Sequence, residues 1–157
     1  MGILLDIRKC FDMIDHEILF AKLSNAGVRG VALNWFKSYF AGRKQRVHVN
    51  GISSDNLCDI LIGVLQGSIL GVLLFLVFIN DIGNATELLL SYLYADDNTC
   101  LCSADNLQDL QNITNSELNK LINWYNANKL LIHPAKTKTL LFNPSRTSLN
   151  LNDDYLG

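Results

Sequence analysis

The stretch 91–102, SYLYADDNTCLC, decides the fold, because it predicts a β-hairpin with two adjacent carboxylates at its tip. Two short β-prone runs lie on either side of Asp96 and Asp97, so the tip is expected to rise from an apolar core. A turn needs only one Asp or Asn, and two neighbouring carboxylates repel each other. A divalent cation between them would remove this repulsion. A solvated turn is the alternative for the pair taken alone.

A third carboxylate lies at the end of another predicted strand. The short apolar run 3–7 predicts a buried strand, and Asp6 lies near its end. Side chains at the ends of neighbouring strands can converge, so we expect Asp6 to lie near Asp96 and Asp97. Three carboxylates suit two Mg²⁺ ions, which prefer oxygen ligands. Such a pair, roughly 3.5–4 Å apart, would clamp the attacking and leaving oxygens of a phosphoryl transfer.

The rest of the chain alternates between helical and strand patterns. Apolar residues at helical spacing predict four helices, over 11–25, over 31–40, from 68 onward and over 105–130. The pair Asn50-Gly51 predicts a hairpin over 46–54, and an apolar run predicts a strand over 137–142. The pattern indicates an α+β fold in which helices pack on one face of a small antiparallel sheet.

Composition excludes several classes of protein. The 157 residues are 49% hydrophobic with a net charge of −2, which excludes intrinsic disorder. The four cysteines lack C-x-x-C spacing, so a disulfide scaffold is excluded and reduced thiols are expected. No basic segment follows Met1, so we expect no secretory signal and a location in the nucleus or cytoplasm.

One nearly uncharged stretch raises the question of a membrane. Residues 60–79 are long enough for a spanning helix, but Gln66-Gly67-Ser68 interrupts them near the middle. Two buried segments joined by a polar turn explain the stretch as well, and neither flank carries a basic cluster. We therefore expect no membrane partner, with membrane association kept as an alternative.

Five segments in order carry a family resemblance. They read LLDIRKCFDMIDHEIL, GVALNWFKSYFAGRKQRVHVNG, GVLQGSILGVLLFLVFIND, YADD and KLLIHPAKTKTLLF. Together they resemble the palm of a reverse transcriptase, above all those of non-LTR (LINE-type) retrotransposons. The resemblance implies a reverse-transcriptase domain over 1–143, made of the palm with part of the fingers and no thumb, followed by a polar tail over 144–157.

The resemblance also implies an activity and its partners. The expected reaction is RNA-directed DNA polymerisation, in which a primer 3′-OH attacks the α-phosphate of a dNTP on an RNA or DNA template. Two Mg²⁺ ions are the implied cofactors, with Mn²⁺ as a substitute. The fingers and thumb would belong to a longer parent polyprotein. The alternative is a catalytically silent, truncated remnant that keeps the palm fold and at most weak nucleic-acid binding.

Single residues receive roles from the same resemblance. The implied catalytic residues are Asp6, Asp96, Asp97 and Lys136, the lysine as general acid for the leaving pyrophosphate. The implied metal ligands are the three aspartates and the backbone carbonyl of Ile7. The implied nucleotide-binding residues are Lys9, Cys10, Phe11, Gln66 and Gly67, with Phe11 excluding a 2′-hydroxyl. The implied nucleic-acid contacts are Arg43, Lys44 and Arg46.

Each of these roles has a purely structural alternative, and the chain departs from the family pattern at several positions. Phe11 could be a core residue, Lys136 a solvated lysine and Gln66 a partner of backbone groups at the break between two helices. The basic cluster could be a solvated turn, whereas Asp15-His16 is better explained by capping and packing than by metal binding. The chain departs from the usual family pattern at Leu65, Val72 and His133-Pro134.

Overall fold

The computed structural model describes residues 1–142, so the predicted tail 144–157 lies outside the described residues. Its strands and helices, in chain order, are β1 (Gly2–Asp6), α1 (His16–Asn25), α2 (Gly30–Phe40), β2 (Lys44–Gln45), β3 (His48–Val49), β4 (Ile52–Ser53), β5 (Cys58–Asp59), α3 (Ile69–Ile79), β6 (Leu90–Tyr94), β7 (Asp97–Leu101), α4 (Leu107–Ala127) and β8 (Lys138–Leu140). Single 3₁₀ turns occupy Asn80–Asn84 and Pro134–Lys136. The predicted α+β class is confirmed.

The main sheet has one covered face and one open face. Its strand order is β6-β7-β1-β8, with all neighbours antiparallel. Along β1, Ile3 and Leu5 are buried in the core that the helices share, whereas Leu4 is 37% exposed. Asn98 and Cys100 of β7 are buried in the same way. Because side chains alternate along a strand, the opposite face of the sheet stays open.

The hairpin arms differ from the sequence expectation. Strand β7 rises from the core as expected, but β6 is an edge strand, and its Tyr92 and Tyr94 are 59% and 84% exposed. The expectation of a buried hairpin is therefore wrong for this arm. Leu90, Tyr92 and Tyr94 lie on the open face of the sheet instead.

The first helix starts later than its apolar spacing predicts. Helix α1 begins at His16, not near Phe11, because Asp15 caps it: the Asp15 carboxylate accepts hydrogen bonds from the amides of Glu17 and Ile18 at 3.0 and 3.1 Å. This confirms the capping interpretation of Asp15. Phe11 consequently lies in the turn that joins β1 to the helix, in contact with the ring of Phe75 at 4.8 Å between centroids.

The apolar stretch is broken as expected. Ser68 caps α3, and its hydroxyl accepts a hydrogen bond from the Gly71 amide at 2.9 Å. Helix α3 then runs for only 11 residues. No helix within residues 1–142 is long and apolar enough to cross a membrane. All four cysteines are free, and Cys100 and Cys102 are buried.

A buried carboxylate on α4 holds the segment that leads into β6. Glu117 is 2% exposed, and its Oε2 accepts hydrogen bonds from the backbone amides of Glu87 and Leu88 at 2.7 and 3.1 Å. Lys120 lies 2.7 Å from its other oxygen. The hydrogen bond from Lys120, and then those from the two amides, lower the pKa of Glu117 to about 2 from its usual 4.5.

We predict that Glu117→Gln destabilises the chain by about 1.5–3 kcal/mol at neutral pH, because it removes the charge from these hydrogen bonds. The pKa is lower in the folded state, so the contribution is complete above about pH 4.5 and is lost as the pH falls towards about 2. Urea unfolding of parent and variant between pH 7 and 2 measures the difference. Glu87→Gln, at an 85% exposed side chain, is the control. A difference that is the same at every pH would contradict the prediction.

Candidate active site

The β6–β7 hairpin closes with a two-residue loop, Ala95-Asp96. Tyr94 pairs directly with Asp97, and Ala95 adopts a φ of +53°. A positive φ in a two-residue loop lets the turn follow the twist of the two strands, although it costs a non-glycine residue energy. The tight turn gives Asp96 and Asp97 fixed positions at the end of the sheet.

Strand pairing brings the first predicted carboxylate to the same place. In the antiparallel β1–β7 pair, Asp6 lies directly opposite Asp97. Residues in this relation have Cβ atoms about 4.5–5.5 Å apart, and like charges there are destabilising. Asp6 lies on the same face of β1 as Leu4, so the carboxylates of Asp6 and Asp97 both lie on the open face of the sheet. The register therefore brings the ends of these two strands together, as the sequence predicts.

A lysine lies beside this carboxylate pair. The Lys136 Nζ is 3.1 Å from Asp6 Oδ2. The chain reaches this position because the segment after α4 follows the end of β1: the His133 amide donates to the Asp6 carbonyl at 2.9 Å, and Ile132 bridges to Ile7. The structure thus brings Lys136, implied by sequence as a catalytic residue, to Asp6.

The turn after β1 lies next to the hairpin tip. Burial of the Cys10 thiol, and then the nearby Asp96 carboxylate, raise the pKa of Cys10 to about 11, so the thiol is neutral. Within the described residues, the backbone N–H groups of Lys9 and Cys10 donate to no other backbone group.

Gln66 is held against the same turn. Its Nε2 donates to Asp12 Oδ1 at 2.7 Å, and the Val64 amide donates to the Phe11 carbonyl at 2.8 Å. Gly67, the next residue, has a φ of +81°. Gln66 thus hydrogen-bonds to a side chain, and not to backbone groups as its structural alternative predicts. The predicted nucleotide-binding residues Phe11 and Gln66 are brought together by these contacts.

The three predicted nucleic-acid contacts differ in their surroundings. The Arg43 guanidinium stacks on the Tyr39 ring at 4.2 Å and its Nε donates to the Tyr39 carbonyl, whereas Lys44 lies 3.6 Å from Asp59. Arg46 is exposed. Arg43 also lines a cleft of about 400 Å³ together with Gln66. Two of the three cations thus already have partners in the protein.

The carboxylates alone do not form a complete metal centre. Within residues 1–142, no group of three or more His, Cys, Asp or Glu side chains is arranged to hold a metal ion. The donors are nevertheless all oxygens, which Mg²⁺ and Mn²⁺ prefer. Asp6, Asp96 and Asp97 therefore fit these ions by their chemistry, with two of them adjacent across the strand pair.

Comparison with known protein families identifies the chain's relatives. A family model described as reverse transcriptase (RNA-dependent DNA polymerase) matches residues 1–157. The chain belongs to the reverse transcriptase family. None of the curated proteins compared with it matches. The reverse-transcriptase resemblance is thereby confirmed. The family is one of polymerases that use divalent metal ions, a nucleic-acid template and dNTPs.

The sequence assigned no role to two residues of this part of the reverse transcriptase. Asp12 is the partner of Gln66, 54 positions away in the chain, and no local pattern links them. His133 stands beside Asp6, and its Nδ1 is buried without a partner within the described residues. The sequence did give a signal for His133, since the chain departs there from the usual family residue.

Gly71 controls how closely α3 approaches the loop that carries Gln66. A Cβ at Gly71 would lie 2.3 Å from the Leu65 carbonyl oxygen, whereas a Cβ at Gly83 would meet nothing within 4 Å. We predict that Gly71→Ala destabilises the chain by about 1–3 kcal/mol, because the overlap exceeds the gain of up to about 1 kcal/mol in helix propensity.

Urea unfolding measures this stability, and ¹⁵N chemical shifts of Gln66 and Gly67 report the displaced loop. Gly83→Ala is the matched control and leaves both observables unchanged. Equal stability of the two variants would contradict the close approach.

Proposed function

We propose that residues 1–142 form the palm of a reverse transcriptase of the non-LTR retrotransposon type, which adds dNTPs to a primer 3′-OH on an RNA or DNA template. The observation that carries this proposal is the register of β1 and β7, in which Asp6 lies directly opposite Asp97, the residue that follows Asp96. The proximity of Lys136 to Asp6 supports it further. Fingers and thumb of a longer chain would complete the enzyme.

The proposed reaction forms one P–O bond and breaks another. The primer 3′-oxygen attacks the α-phosphorus, the bond from that phosphorus to the β-bridging oxygen breaks, and pyrophosphate leaves. Asp6, Asp96, Asp97 and the Ile7 carbonyl would hold two Mg²⁺ ions, which when bound activate the hydroxyl and stabilise the developing charge. Lys136 would protonate the leaving pyrophosphate, while the proton of the 3′-OH passes to solvent.

The remaining residues would form the nucleotide pocket. The amides of Lys9 and Cys10 would bind the triphosphate, and Gln66-Gly67 would pack against the nucleotide and template. The Phe11 ring would lie under the sugar, where its contact with Phe75 and its backbone bond from Val64 keep it in place. Arg43, Lys44 and Arg46 would contact phosphates of the nucleic acid. Base selection would come from pairing with the template.

The second candidate is a silent remnant that keeps the fold without catalysis. The observation in its favour is that no three acidic, His or Cys side chains within the described part of the chain are arranged around a metal site. Metal binding is the first measurement, because a chain that binds no divalent ion could not carry out the proposed reaction.

We predict that Mn²⁺ raises the melting temperature of the chain, because an ion that binds only the folded state stabilises it by about 2.7 kcal/mol at 100 times its Kd. That corresponds to a rise of roughly 5–10 °C for a chain of this size. Asp96→Asn removes most of the rise. Asp55→Asn, at an exposed residue between β4 and β5, is the control and keeps the rise. No rise in the parent would favour the silent remnant.

We also predict that Phe11→Val weakens sugar selection in a complete reverse transcriptase that carries these residues. The smaller side chain leaves room for a 2′-hydroxyl, so discrimination against ribonucleotides falls about tenfold or more. Single-nucleotide primer extension with dNTPs and rNTPs measures the ratio. Phe142→Val, at an exposed ring, is the matched control, and Asp97→Ala reports background activity. Unchanged discrimination would remove Phe11 from the pocket.

A further inference from the structure

A buried amide lies directly behind the carboxylate tip. Asn98 follows Asp97 in β7 and is 1% exposed. Its neighbours across the sheet are Leu5 of β1 and Leu93 of β6. An apolar side chain would suit such a position, and burying an amide there is costly unless it is hydrogen-bonded. The presence of Asn98 therefore calls for a specific partner.

The partner is on the helix behind the sheet. Asn98 Nδ2 donates to the hydroxyl of Tyr125 at 3.2 Å, and the Cys100 thiol donates to Asn98 Oδ1 at 3.5 Å. Tyr125 belongs to α4 and is 1% exposed. The pair therefore connects β7 to α4 through a directional hydrogen bond.

A directional bond at this position constrains the strand more than apolar packing does. A shift of β7 by one residue would exchange its two faces, so that Asp97 would point into the core and Asn98 to the open face. The shifted arrangement would bury the Asp97 carboxylate and leave the Tyr125 hydroxyl without the Asn98 amide, whereas the observed arrangement pairs the two buried groups. A single buried Asn is known to specify register in other folds at some cost in stability.

We propose that Asn98 and Tyr125 are positioning residues that fix the face and register of β7, and so hold Asp96 and Asp97 beside Asp6. The meaning of this placement for catalysis rests on the proposed function. The placement itself does not, because it concerns the strand and can be measured without metal or substrate.

The test compares two deletions of one hydroxyl from α4. Tyr125→Phe removes the hydrogen-bond partner of Asn98 and leaves the amide unsatisfied. We expect this to increase the local opening of β7 about fivefold or more. Thr114→Val is the matched control, because the Thr114 hydroxyl is equally buried on α4 and has no partner within residues 1–142. Amide hydrogen exchange of residues 97–100 and Mn²⁺ affinity by electron paramagnetic resonance are measured in the 157-residue chain.

We expect exchange at 97–100 to be about fivefold or more faster in Tyr125→Phe, with α1 amides unchanged and Mn²⁺ bound at least fivefold more weakly. Thr114→Val matches the parent in both. Asn98→Leu combined with Tyr125→Phe restores slow exchange, because no polar group is then unpaired, but it does not restore Mn²⁺ affinity if the directional bond sets the register.

Unchanged exchange in Tyr125→Phe would overturn the proposal, and so would faster exchange with unchanged Mn²⁺ affinity. A parent chain that binds no Mn²⁺ would overturn the proposed function, and exchange alone would then decide whether the pair fixes β7.

Discussion

The antiparallel pairing of β1 with β7 is the constraint on which the rest of the structure depends. It sets Asp6 opposite Asp97 at the open end of the sheet. Two carboxylates in this relation repel each other, so the pairing must be maintained by other parts of the molecule. The buried side chains of Ile3 and Leu5 supply that stabilisation from the covered face. The alternation that buries them is also what directs the carboxylates to the open face.

Helix α4 stabilises the hairpin through hydrogen bonds of two of its side chains. Glu117 accepts hydrogen bonds from the segment before β6, and Tyr125, two turns further along the helix, accepts one from Asn98 of β7. After the helix ends, the chain runs beside the end of β1 and brings Lys136 to Asp6. Helix α4 therefore contacts β7 and the segment that leads into β6, and the segment that follows the helix carries Lys136 to the same end of the sheet. This arrangement explains how side chains more than 30 residues apart along the chain can share one end of the sheet.

Sequence reasoning predicted local features well and distant contacts poorly. The hairpin over 91–102 and the strand near Asp6 could be predicted, because alternation and turn residues are local signals. Apolar spacing placed the start of α1 too early, since it continues through Phe11, whereas the Asp15 cap, which the sequence also indicated, is where the helix begins. The exposure of β6 depends on its place at the sheet edge, and the bond between Gln66 and Asp12 joins distant segments. Neither property leaves a periodic pattern in the sequence.

The electrostatics of the carboxylate tip favour a cation beyond those that the chain supplies. Lys136 is the ammonium beside Asp6, and one positive charge cannot balance Asp6, Asp96 and Asp97. The like charges of Asp6 and Asp97, directly opposite each other across β1 and β7, have an electrostatic cost. In the proposed function, a divalent ion would remove this cost and create a positive centre for the triphosphate, which the net charge of −2 would otherwise repel. The arrangement that makes the tip unfavourable without a cation is thus also the one that the proposed phosphoryl transfer requires.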